Sequence, residues 1–191
     1  MLSQVRERGA RCGANHVVTL DRGGGDLRHV VTWLKRANHP NWLEDGRISM
    51  NFLGKVCIFD DARGAKCAVA SDAASGHPVG VPGHPRLLVA DTYAKEHAAF
   101  DLPPGTSALR LLDAQRPRDD ALLLGTFPSA DPGGGKADLW RCDLHPAFDR
   151  SGTRIAINVR VGGARAVAVM DFREATVPAV LDDLRAAVAA R

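Results

Sequence analysis

The stretch that decides the fold is residues 142–171, CDLHPAFDRSGTRIAINVRVGGARAVAVMD. It reads as three short strands joined by two tight turns. The first strand opens at His145-Pro146-Ala147-Phe148, and Arg150-Ser151-Gly152 turns the chain. Thr153 to Asn158 forms the second, Val161-Gly162-Gly163 turns it again, and Ala164 to Met170 forms the third. Glycine marks each turn because tight hairpins need a positive φ that other residues resist. The same wording occurs earlier. His39 to Asn51, HPNWLEDGRISMN, matches His145 to Ile157 nearly position for position, and a weaker copy starts at His77-Pro78.

Working outward, residues 1–14 read as a disordered N-terminal arm. His16 to Leu20 and Leu27 to Trp33 then alternate as two strands around the Gly23-Gly24-Gly25 turn. The first full repeat supplies strands near 40–43, 47–52, 55–60 and 66–70, with turns at Asp45-Gly46, Gly54 and Gly64. Four short antiparallel strands within about 35 residues make a meander of propeller-blade size. The second repeat turns at Pro82-Gly83-His84-Pro85 and runs through Leu87 to Tyr93. After a long excursion from Ala94 to Ser107 it supplies two more strands, Ala108 to Leu112 and Ala121 to Phe127. Pro128 to Ala137 is a second Pro- and Gly-rich loop. Long loops in a regular array often line a binding face. Thr176 is placed to cap a helix in which Val177, Val180, Leu181, Leu184 and Val188 share one face. The prediction is an all-β chain: a partial β-propeller over residues 15–175, with about two full and two partial four-stranded antiparallel blades, and a C-terminal amphipathic helix over 176–191 that packs on the sheet.

Composition narrows the function. An apolar content of 45% and a charged content of 25% are ordinary for a soluble globular chain. The net charge of +3 comes from scattered basic residues, so neither nucleic acid nor a membrane surface is an expected partner. No run approaches the ~20 apolar residues a membrane span needs, and the charged N-terminus lacks the apolar core of a secretory signal. The expected location is the cytoplasm. The four cysteines, Cys12, Cys57, Cys67 and Cys142, show no Cys-x-x-Cys spacing. Buried free thiols are expected, although Cys57 and Cys67 are near enough in sequence to face each other across one hairpin. Gly133-Gly134-Gly135-Lys136 lacks the first glycine and the final Ser/Thr of a phosphate loop, and Ser75-Gly76-His77 lacks a nucleophile elbow.

These repeats resemble those of TolB-like β-propellers. The phrases GHPRLLVADTY and DLWRCDLHPAFDRSGTRIAIN look closer still to the repeats of oligogalacturonate lyase-like propellers. The resemblance spans about residues 15–172. It implies a ring of about seven blades at roughly twice this length, so an unclosed array leaves edges that invite association. Three explanations are open: a truncated relative, which is the first choice, copies paired across a homo-oligomer, or edges covered by the chain's two ends.

His39, His77 and His145 occupy one place in three repeats. If the first strand of each blade lines a shared axis, their imidazoles converge and can hold a divalent metal with positions left for substrate. A plainer role is also open to them: His-Pro can simply begin a strand and pack against the next blade. The resemblance implies a metal, usually manganese, held by histidines and a glutamine, and β-elimination on a uronate of an acidic oligosaccharide. The two glutamines here, Gln4 and Gln115, stand outside repeat-equivalent positions, so that ligand set is not matched. Asp91, Tyr93, Arg141 and Asp143 are the next candidates, as substrate-binding residues. Asp143, two residues before His145, lies on the same strand face and is placed to orient its imidazole. Arg141 is suited to bind a carboxylate through two hydrogen bonds. The alternative for the pair is a structural ion pair. A non-catalytic propeller module that binds a protein or small ligand is the competing function.

Overall fold

Short apolar runs punctuated by turn residues give fourteen strands among the described residues. The computed structural model describes residues 2–6, 15–34, 37–60, 67–114, 121–129 and 141–172. The strands form four antiparallel sheets, each of consecutive strands. The first sheet holds β1 (Leu2–Arg6), β2 (Asn15–Thr19) and β3 (Arg28–Leu34). The second holds β4 (Ala37–Trp42), β5 (Arg47–Phe52), β6 (Lys55–Asp60) and β7 (Cys67–Ser71). The third holds β8 (Val79–Val81), β9 (His84–Asp91), β10 (Thr106–Asp113) and β11 (Leu122–Pro128). The fourth holds β12 (Ala147–Phe148), β13 (Arg154–Val161) and β14 (Ala164–Asp171). The leading strands are neighbours in space: β1 touches β4, β4 touches β8, and β8 touches β12.

Side-chain alternation explains how the sheets stack. Ile48, Met50, Cys57 and Phe59 turn toward the first sheet and pack with Val17 and Val30. Val56 and Ile58, at the intervening positions of β6, turn the other way and meet Leu88, Ala90 and Leu112 of the third sheet. Leu87, Val89, Leu109 and Leu111 then face Ile155, Ile157 and Val159 of the fourth. Strands buried on both faces read as continuous apolar runs, such as Val56-Cys57-Ile58-Phe59. β13 and β14 alternate instead. Their inward residues join the core, while Val167 and Val169 point outward at 68% and 62% exposure.

Several expectations change. Residues 2–6, read as part of a disordered arm, form β1, which pairs in register with β2 from Leu2↔Thr19 to Arg6↔Asn15. A charged strand can pair at a sheet edge without an apolar signature of its own. The long excursion begins with a 3₁₀ helix, Ala94–Phe100, too short to show a helical period. The β6–β7 register sets Cys67 opposite Phe59 and Cys57 opposite Ala70, so the two cysteines do not stand directly across the hairpin from each other. Cys57 and Cys142 are both buried, and Cys142 is a free thiol. The predicted C-terminal helix over 176–191 lies outside the described residues. Among the described residues no helix is long and apolar enough to cross a membrane.

Candidate metal centre

The site is built where three sheets begin. His39 lies within β4, His77 lies two residues before β8, and His145 lies two residues before β12. Because β4, β8 and β12 adjoin, the three imidazoles meet. Ring centroids are 3.4 Å apart for His77 and His145, 4.0 Å for His39 and His77, and 5.8 Å for His39 and His145. Two of the histidines hold an uncommon backbone. His39 has φ 54° and His145 has φ 45°, and each precedes a proline. Non-glycine residues seldom adopt this left-handed region, and a following proline restricts it further. At His39-Pro40 the β4–β5 ladder also bulges: Asn38 faces Asn51 and Asn41 faces Ser49, leaving one extra residue on β4. Strain of this kind collects where a side chain must be aimed.

The rings open into a cleft of about 620 Å³, within the range of small-molecule sites. Its wall includes the three histidines, Tyr93, Arg141 and Asp143, and also Lys95 and Arg165, which the sequence did not single out. Lys95 and Arg141 both lie over the Tyr93 ring, at 5.1 and 5.2 Å from its centroid. Arg141 Nε donates to Asp143 Oδ2 at 2.7 Å. That leaves Asp143 Oδ1 buried with no hydrogen-bond partner, and His77 Nε2 is in the same condition. Buried polar atoms are nearly always paired, so two orphans facing one cleft call for a ligand. His77, Asp143 and His145 each offer one ligand atom, all within 4.8 Å of one another. Two nitrogens and one carboxylate oxygen suit a divalent first-row metal. The residues present therefore fit such a group.

Asp143 lies outside β12, in the segment that leads into it. It stands beside the histidines as a third potential ligand. His39 is at the cleft but outside that group. Asp91 departs furthest from expectation. It is fully buried and absent from the cleft wall. Its carboxylate contacts His77 Nδ1 through both oxygens at 3.0 Å and accepts the backbone N–H of His77 and of His145. Nor does Ser75 approach His77 as a nucleophile, because its hydroxyl donates to Glu96.

Electrostatics favour the neutral form at His39 and His145. Burial, reinforced by the neighbouring His77 and His145, lowers His39 from 6.5 to about 4. Burial and His77 lower His145 in the same direction. Burial raises Asp143, against the opposing pull of Arg141. Burial and the nearby Asp91 and Asp143 push the Tyr93 phenol well above its ordinary value. Neutral imidazole is the metal-binding form.

No protein-family profile and no curated protein matches the sequence. Among solved structures the fold is similar to an oligogalacturonate lyase in complex with manganese, with a TM-score of 0.55 and 15% sequence identity. The match covers 85% of this chain and 42% of that one, so this chain spans less than half the length of the structure it resembles. At that identity the likeness is one of fold.

Proposed function

We propose that the four sheets are adjacent blades of a β-propeller, and that the chain catalyses metal-dependent β-elimination on a uronate-containing oligosaccharide. The observation that carries this reading is that His77, Asp143 and His145 bring one ligand atom each within 4.8 Å of one another beside a cleft where His77 Nε2 and Asp143 Oδ1 are buried without a hydrogen-bond partner. The similarity of fold to a manganese-bound oligogalacturonate lyase supports it. His77, Asp143 and His145 would hold the metal. A divalent cation bound there would supply a Lewis acid for the substrate carboxylate, acidifying the adjacent carbon.

The chain's own groups supply the rest. Lys95, Arg141 and Arg165 give the wall a cationic character that suits an acidic sugar. Arg141 holds Asp143 by one oxygen and so aims the other into the cleft. His39, neutral and beside His77, is positioned to accept a proton. Elimination removes the proton next to the carboxylate and expels the glycosidic oxygen from the following carbon, leaving an unsaturated sugar. Bound-metal analysis of the purified protein, followed by uronate oligomers with ultraviolet detection of unsaturated product, tests the reading. It is wrong if stoichiometric Mn, Fe, Zn and Ni are all absent and His39→Ala, His77→Ala and His145→Ala leave ligand binding unchanged.

One observation favours a second reading, a TolB-like propeller module that binds a protein or small ligand without turning it over. Tyr93 is held as a phenol, and His39 is a weak base at a conjugate-acid pKa of about 4. Tight binding of uronate oligomers without an absorbance change would favour this reading. Under either one we propose a cytoplasmic protein without nucleic-acid or membrane partners. We also propose that copies associate through the open edges of the sheets, β14 of the fourth among them.

A further inference from the structure

Imidazoles line the cleft, but what decides which nitrogen His77 presents lies behind it. Asp91 ends β9 and is fully buried. Its Oδ1 accepts the backbone N–H of His77, and its Oδ2 accepts that of His145 at 3.1 Å. Both oxygens also lie 3.0 Å from His77 Nδ1. A backbone N–H only donates, and a carboxylate only accepts. With each oxygen already receiving a backbone proton, the hydrogen bond to the ring is satisfied when Nδ1 carries the hydrogen. The chain is also shaped around this carboxylate. A Cβ on Gly76 would fall 2.0 Å from Asp91 Oδ1 and 2.8 Å from the Asp91 backbone oxygen, so only glycine passes there.

We propose that Asp91 is a positioning residue: it locks His77 as the Nδ1–H tautomer, turning the Nε2 lone pair into the cleft, and ties the backbones of His77 and His145 to one point. One side chain thereby couples the third sheet to the start of the fourth, at the two histidines whose nitrogens converge with Asp143. The orphaned, buried Nε2 of His77 is what such a lock would produce. A histidine's free nitrogen is set by the partner of its other nitrogen. The purpose of the lock rests on the metal-centre reading, but its geometry does not.

The experiment reads the tautomer directly. Long-range ¹H–¹⁵N correlation of the imidazole rings in the metal-free, full-length protein at neutral pH should show His77 protonated at Nδ1. Protonation at Nε2 would overturn the proposal, whatever metal the protein binds. Asp91→Asn places an amide, which can donate to Nδ1, where the carboxylate only accepted. It should shift His77 toward the Nε2–H form and weaken manganese binding by about 10- to 100-fold, measured by calorimetry. A folded Asp91→Asn protein with an unchanged tautomer and unchanged manganese affinity would also overturn it. If Asp91→Asn does not fold, the wild-type spectrum alone decides. An Nδ1–H ring in a wild-type protein that binds no metal would support the role of Asp91 and sink the metal reading instead.

Discussion

His77 and Asp143 make the sharpest pair at the scale of single residues, because each has one buried atom engaged and one without a partner. His77→Ala and Asp143→Asn should each weaken manganese binding at least tenfold by calorimetry, a size typical of losing a ligand or its orientation. His39→Ala should change that affinity less, because His39 is outside the ligand group, while lowering turnover of uronate oligomers. Acid should act through the same residues. His39 and His145 titrate lower in the folded chain than in the unfolded one. On acidification the unfolded chain therefore takes up their protons first, and stability falls as pH drops from 6.5 toward about 4 and levels off below. Asp143, raised by burial, works in the opposite sense above its ordinary 3.8. A melting-temperature series against pH should show the net loss, and His39→Gln should flatten part of it. The three repeated histidines could be read from the sequence because His-Pro recurs at equivalent positions. Asp91's role could not, since it depends on two backbone N–H groups, 14 and 54 residues away, meeting one carboxylate.

Elements hold this geometry through close approach and shared cores. The segment before β8 passes over Asp91 with no room for a Cβ at Gly76. Gly76→Ala should therefore push β9 from that segment and destabilise the protein by about 1–3 kcal/mol, the usual range for overpacking, as read by urea unfolding. Phe59 is fully buried on β6 against the first sheet and makes an edge-on contact with Phe52 at 5.5 Å. Phe59→Ala should cost about 3–5 kcal/mol. A smaller loss would mean that the first two sheets do not share a core. Most strand positions were legible, because turn glycines and apolar runs are local signals. β1 was not, since an edge strand's pairing comes from its neighbour. The exposure of Trp42 also depends on how the sheets stack. Trp42 is 38% exposed and lines a second cleft of about 360 Å³ with Phe148, its repeat equivalent.

The whole molecule is an array whose last described face carries two exposed valines among charged side chains. Val167 and Val169 stand on that face, on the side away from the third sheet. Replacing both with lysine should lower self-association in sedimentation velocity while leaving the melting temperature within a few degrees. Unchanged association would place the contact elsewhere.

By itself the sequence determined that the described residues are mostly β, in repeated hairpins with a histidine leading three of them. Turn chemistry and two-residue alternation are written into neighbouring residues, and repetition makes them readable. Only the tertiary structure decided that those histidines meet, that Asp143 joins them, and that Asp91 bonds to two of them, His77 and His145. Each of these depends on how separate sheets stack, because residues far apart in the chain share a hydrogen bond only after their cores have packed.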